Sequence, residues 1–431
     1  MIHDLPQEIL EDTLILCDPC DVAAVSQTCR QFRDLIYFSD DNHLWRALYL
    51  SQPLDDPRIC VDQAGRPTGS GEFDWKINLH AITRARLTLN DPKLLREGEI
   101  VTILRTLLKL TTNTRPISPS FSNLYDDISQ NLLWVAAHLR KHDDYFLDYG
   151  LCSDLDATSE EIQLRSRLHA YFGITHGDVR RSARSASRAY VYSLRNYSDA
   201  NQYGPYMMDY SRKVNWVHIQ AIHHIFALHT VNIQENDVFE YAIIPMSMPH
   251  IQPIVEDVSD LDGETDWAQV EGDWICSFCF CDHRDLLEFN QANVQTEETN
   301  PLDPSFFESP MFREVFRSMT VKLKVTAIDP SIDGRRPTIH FTGGMGDPAS
   351  GSMTGFVEMT SEAAIRWHFV SGEAGNSIWC SEGIQVGGVR SLYGVLGTWT
   401  TIFHDFDDPV GMVAVLANLA FVNLIQQAHS G

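Results

Sequence analysis

The feature that most constrains this chain is a change of hydrophobic period near residue 236. Upstream, apolar residues recur at helical spacing. Ile100, Ile103, Leu104, Leu107 and Leu108 make one stripe, Ile128, Leu132, Val135 and Leu139 a second after the Pro116 and Pro119 breakers, and Ile219, Ile222 and Phe226 a third. Downstream the period is two. Val321, Leu323, Val325 and Ala327 alternate with Lys322, Lys324 and Thr326, and Ile365, Trp367 and Phe369 alternate with Arg366 and His368, as half-buried antiparallel strands require. Asp333-Gly334 and the Gly343-Gly344-Met345-Gly346 run supply turns after two of these strands. The two periods predict an α+β chain, with a helical segment over 76–235 and an antiparallel β-rich domain, barrel or sandwich, over 236–431.

The first fifty residues form a third unit. From residue 4 onward short amphipathic stretches are separated by sharp breakers. Pro6 suits a first helical turn, Glu8 complements its dipole, and Ile9, Leu10 and Leu14 make a stripe. Asp18-Pro19 ends that helix, and Asp21 can cap the next, where Val22, Val25, Cys29 and Phe32 fall on one face. Leu35 and Ile36 follow, and after Asp40-Asp41 a last turn presents Leu44, Trp45, Leu48 and Tyr49. So short a module buries too little surface to be robust alone and is normally completed by a partner. Residues 51–75 are rich in proline and glycine and read as a linker.

With 431 residues, 44% hydrophobic and 21% charged, the chain has material for two or three globular domains. Its 33 basic residues face 58 acidic ones, a net charge of −25, which argues against nucleic acid as a partner. The opening Met-Ile-His-Asp has no cationic and apolar leader, and Gly411 to Ile425 is too short and too interrupted by Asn418 and Asn423 to span a bilayer. Nine cysteines without a secretory signal suit free thiols in a reducing compartment, so a cytoplasmic or nuclear protein is expected, with no membrane association.

Leu5-Pro6-Gln7-Glu8-Ile9-Leu10, Asp18-Pro19-Cys20-Asp21-Val22, Val25-Ser26-Gln27-Thr28-Cys29-Arg30 and Leu44-Trp45-Arg46, in that order, resemble the F-box, a three-helix module. The resemblance implies a Skp-type adaptor as partner, and through it a cullin-type ubiquitin ligase. By matching position it implicates Leu5, Pro6, Ile9, Leu10, Val22, Val25 and Cys29 in adaptor binding, and Leu14, Phe32, Leu35 and Trp45 in the module's own core. The expected function is that of a substrate-recognition subunit, non-catalytic, whose C-terminal half holds an unknown protein target.

Val270, Gly272, Trp274, Phe278 and Asp282 recur at identical spacing as Val395, Gly397, Trp399, Phe403 and Asp407. All offsets are even, so each set would lie on one face of a strand, two equivalent core strands of a barrel or sandwich. The alternative is a G-x-W opening like that of lipocalin barrels, which would make the chain a small-ligand-binding barrel carrying an F-box for turnover or localisation. Val214-Asn215-Trp216, Val270 through Leu286, Trp379 through Gly388, and Gly394 through Trp399 resemble a family of long fungal F-box proteins, which implies no particular substrate. The domain order is also similar to F-box receptors whose C-terminal barrel selects the protein to be ubiquitinated.

Other motifs weigh less. Cys276, Cys279, Cys281 and His283 resemble a ligand cluster, but strand parity points Cys276 away from the other three, and no metal site or other cofactor is expected. His218, His223, His224 and His229 crowd one helix without the spacing of H-E-x-x-H and read as helix-surface residues. Gly344 to Ala349 fits G-x-G-x-x-A, yet Pro348 leaves no helix to hold a phosphate. No phosphate-binding P-loop or G-x-S-x-G nucleophile elbow occurs, so no catalytic residue is nominated. Arg180, Arg184 and Arg188 share a helix face where guanidinium groups could receive acidic groups of a bound target; the alternative is a solvated face or a set of partners for the chain's own acids.

Overall fold

The computed structural model describes residues 5–38, 42–69, 73–147, 158–231, 241, 244, 246–256, 261, 264–292, 302–330, 336–346, 351–373 and 376–417. The Asp40-Asp41 break, the boundary at 236, the Asp333-Gly334 turn, the Asp347-Pro348-Ala349 stretch and everything after Ala417 lie outside the described residues. No helix among the described residues is long and apolar enough to cross a membrane.

Four short helices open the chain, α1 (Gln7–Ile15), α2 (Pro19–Ser26), α3 (Arg30–Tyr37) and α4 (His43–Leu50). Asp18 caps α2, its side chain accepting from the Cys20 N–H at 2.9 Å, with Pro19 at the first helical position. The stripe expected over Val22, Val25, Cys29 and Phe32 is not one helix. Ser26 and Thr28 hydroxyls donate back to the Ala23 and Val25 carbonyls, and Cys29 is extended at the start of α3. His43–Leu50, expected as a closing turn, is a full helix because its apolar face buries Leu44, Trp45, Leu48 and Tyr49.

The helical layer follows with α5 (Trp75–Asn90), α6 (Ile100–Thr112), α7 (Gln130–Leu139), α8 (Asp143–Phe146), α9 (Glu160–Phe172), α10 (Arg181–Val191) and α11 (Trp216–Thr230). The stretch before α5 is not a free linker. Val61 exchanges backbone hydrogen bonds with Thr114, the buried Asp55 accepts from the Gln130 N–H at 2.9 Å and from the Ser129 hydroxyl, and Arg336 donates to the Ala64 carbonyl. Pro57 and Gly65 are buried in its turns, while Pro53 and Pro67 remain exposed.

The C-terminal half is a closed eight-stranded barrel: β1 (Gly272–Cys281), β2 (Glu314–Asp329), β3 (Thr338–Met345), β4 (Gly351–Met359), β5 (Ile365–Glu373), β6 (Asn376–Gln385), β7 (Val395–Thr401) and β8 (Gly411–Ala417). Each strand is antiparallel to the next, and β8 returns to β1 in the register Cys276 to Val415. One helix, α12 (His283–Ala292), interrupts the expected sheet between β1 and β2. Strand parity holds. Cys276, Val413 and Val415 belong to the barrel interior, whereas Cys279, Cys281, Met412, Ala414 and Leu416 face outward into a second core shared with the helices. Gly397 is needed where β7 crosses β6, since a Cβ there would stand 2.1 Å from the Glu382 carbonyl.

Polar residues expected on a solvent face are covered. Arg366 is buried and donates through Nε and Nη2 to both Glu382 oxygens, at 2.9 and 2.6 Å, while the buried Tyr206 hydroxyl donates to the same carboxylate. Glu314, at the start of β2, joins barrel to helices. Arg188 of α10 donates to it at 2.8 Å, the Tyr192 hydroxyl at 2.9 Å, and His229 of α11 lies 2.8 Å away.

Three of the four α11 histidines, His218, His223 and His224, are likewise not on a surface, whereas His229 in the last turn is exposed, as expected. Every residue from Val217 to Ala227 is buried, because α11 packs against α9, α10 and β7. His218 lies between the Tyr190 and Tyr197 rings, His223 donates to the Met246 carbonyl, and His224 donates to the Asp178 carbonyl while sharing a 2.6 Å bond with Ser187. Burial lowers the pKa of His218 to about 3 and those of His223 and His250 to about 4.

Two predictions follow from this packing. Between about pH 6.5 and about pH 4 the unfolded chain takes up protons that these three folded histidines refuse, so stability falls as pH drops through that window. His218→Gln should flatten the dependence of the denaturation midpoint on pH by one proton's worth, and an unchanged slope would show that His218 titrates like a surface imidazole. Glu314→Ala strands Arg188 and Tyr192 beside the barrel, and should cost about 3–5 kcal/mol in guanidinium denaturation.

Candidate functional site

The four opening helices leave one apolar face open. Leu5 and Ile9 are 45% and 49% exposed, Pro6 and Cys29 are exposed, and Val25 is half-buried. Leu16 and Phe38, which the sequence did not single out, extend the uncovered apolar surface of the module. Two residues assigned to the docking face by position are corrected. Leu10 and Val22 are buried within the folded chain, 5% and 1% exposed, where α1 packs on α4 and the turn at Gln27-Thr28 folds α3 back over α2. Leu14 and Trp45 are buried and Phe32 and Leu35 half-buried against the same core.

The module is mounted rigidly. Trp45 donates to the Ile36 carbonyl at 3.0 Å and meets His80 of α5 edge to face at 4.9 Å. Lys76 donates to the Tyr37 carbonyl at 3.2 Å, with its ammonium over the Tyr37 and Trp45 rings. Arg86 pairs with Asp18 at 2.7 Å, and this bond outweighs partial burial to lower the Asp18 pKa. Tyr49, Phe73 and Trp75 close the seam as a cluster of edge-to-face rings. The open face is thus held in fixed relation to the helices behind it.

The other sequence candidates are placed as follows. Of Arg180, Arg184 and Arg188, the last is committed to Glu314, while Arg180 is exposed at the extended N-cap position before α10 and Arg184 is half-buried. The Cys276, Cys279, Cys281 and His283 set is split by the barrel wall. A different trio, His229, Cys279 and Glu314, brings donor atoms within 4.8 Å of one another, which sequence spacing could not show. Both Glu314 oxygens are already engaged, one by Arg188 and His229 and the other by Tyr192, and burial pushes the Cys279 thiol pKa well up. With a guanidinium already neutralising the carboxylate, the trio is an ion-pair joint. Gly344 and Met345 end β3 and Gly346 follows with φ 87°; the rest of the G-x-G-x-x-A stretch lies outside the described residues.

Trp274 and Trp399 both line the barrel interior, as their shared offset predicts, but Phe403 and Asp407 lie beyond β7 on an exposed loop and break the repeat. Rings fill the interior: Trp274 meets Trp367 at 5.3 Å, Phe341 meets Trp367 at 5.7 Å and Phe280 meets Trp399 at 5.9 Å, with the exposed Trp379 against Trp399 at 5.0 Å. The space that a small-ligand barrel would keep open beside Trp274 and Trp399 is occupied by these side chains.

No curated protein and no solved structure matches the chain. The F-box-like family model matches residues 2–51, the span of the four opening helices. The open helical face at the amino end therefore belongs to an F-box-like domain, and this chain is a protein with an N-terminal F-box.

Proposed function

We propose that the chain is a substrate receptor of a Skp, cullin and F-box ubiquitin ligase in the cytoplasm or nucleus. The observation that carries this reading is the uncovered Leu5, Pro6 and Ile9 edge on an F-box-like domain whose other side packs on its own protein. An F-box commonly serves to dock a Skp-type adaptor, and the exposed leucine and isoleucine supply apolar area that a partner would desolvate. The barrel half supplies a large rigid body on which a protein target can be held.

In this reading the chain contributes position, not chemistry. Held by the adaptor at one end and by the target at the other, it keeps target lysines at high effective concentration beside a charged ubiquitin. Catalytic residues belong to other subunits.

Ile9→Asp tests the reading cleanly, since Ile9 is half exposed and its replacement leaves the module's core intact. Burying an unpaired carboxylate against the adaptor should weaken capture of a purified Skp adaptor by about a hundredfold or more, with the thermal midpoint of the free chain unchanged. Full adaptor capture by Ile9→Asp would place the interface elsewhere. Leu10→Asp should behave differently, lowering the thermal midpoint because its carboxylate would be forced into the module's own core.

A further inference from the structure

One end of the barrel carries an apolar surface that nothing in the described structure covers. Ile378 at the start of β6 and Ile402, Phe403 and Phe406 after β7 are all exposed, Phe403 by 68% and Phe406 by 91%. The two segments are neighbours: the Ile402 N–H donates to the Ile378 carbonyl at 2.9 Å. Single exposed apolar residues are ordinary, but a contiguous group of large ones on a monomer marks a contact surface.

The loop that presents the two phenylalanines is built to hold them outward. Asp408 accepts from the Thr401 hydroxyl and from the Asp405 N–H at 2.9 Å, closing a tight turn. His404 takes a left-handed conformation, φ 56°, and stacks on Tyr203 with ring centroids 3.9 Å apart. His283 donates to the Asp407 carbonyl at 2.8 Å. With the imidazole turned to the body of the protein and the loop backbone tied by these bonds, Phe403 and Phe406 are presented to solvent from an ordered loop, which lowers the backbone ordering cost of a contact.

The charge around them selects a partner. Asp405 and Asp407 are exposed beside the phenylalanines, and no lysine or arginine occurs between residues 391 and 417, in a chain of net charge −25. A second copy would bring the same aspartates against these, and an anionic membrane surface would be repelled. We propose that this surface binds a protein segment in which aliphatic or aromatic anchors stand beside lysine or arginine, and that it is the target-binding surface of the receptor. The assignment as a target site rests on the receptor reading above; the chemistry of the surface does not.

The test uses the full chain and three fluorescent peptides: leucines spaced among lysines, the same leucines among glutamates, and the same lysines with serine replacing leucine. The leucine–lysine peptide should bind, the other two about tenfold more weakly or less, and added salt should weaken the first. The double variant F403S/F406S should weaken leucine–lysine binding by about tenfold or more, and D405N/D407N should weaken it and flatten its salt dependence. Equal binding of the glutamate peptide, or unchanged binding by F403S/F406S, overturns the proposal. So does a wild-type dimer in sedimentation that F403S/F406S converts to monomer, which would make the surface a self-contact. Adaptor capture is measured on the same preparations. A chain that binds the peptide through Phe403 and Phe406 but fails to capture the adaptor would sink the receptor reading and leave the surface standing.

Discussion

The hydrogen-bonded return of β8 to β1 is the constraint on which the remaining architecture hangs. Without it the sheet would present two unpaired edges, and neither face of those strands would have a fixed partner. With it, the strands near the seam are buried on both sides. Val413 and Val415 close the aromatic interior, while Met412, Ala414 and Leu416 meet the helices. That doubled burial explains why β8 is apolar at nearly every position, and why β1 alternates between two cores instead of between core and water.

The helices exploit the outward face. α11 lies among α9, α10 and β7 with almost no solvent-facing side, so its polar residues must find partners inside, and Glu314 gathers Arg188, Tyr192 and His229 at the same boundary. Through α5 and the ring cluster of Tyr49, Phe73 and Trp75, the same apolar core reaches the opening helices. The F-box face and the phenylalanine loop are thus carried by one continuous packed body, which suits a protein proposed to hold two partners in fixed relation.

Much of this was legible in the sequence, for physical reasons that also mark where legibility stopped. Period two identified the strands because one face of each enters the barrel, and the even offsets that pair Trp274 with Trp399 report a shared face correctly. Arg366 misled because an alternating polar residue normally meets water, whereas here Tyr206, distant in sequence, lies over its guanidinium. His218, His223 and His224 misled for the same reason: the stretch of α11 that carries them is buried all round and has no polar face to betray its environment. Residues 51–75 read as a linker because proline and glycine report turns, not whether a turn is packed. On the F-box, position alone named seven docking residues, but it could not see that Leu10 and Val22 are covered where α1 meets α4 and α3 folds back on α2. The phenylalanine loop was half visible, since Phe403 fitted the repeat; its exposure became apparent only once β7 was seen to end at Thr401.

Barrel closure has a consequence for the order in which the molecule can be made. The seam strand is nearly the last described segment of the chain, yet Met412 and Leu416 complete a core that begins with Leu14. A ribosome delivers the F-box helices first, and hundreds of residues later supplies the strand that seals the sheet behind them. Until that strand emerges, the outer wall on which α11 rests is unfinished, so the nascent polypeptide displays greasy surface throughout its synthesis, and a stop codon ahead of β8 would release a product that no amount of F-box integrity could rescue.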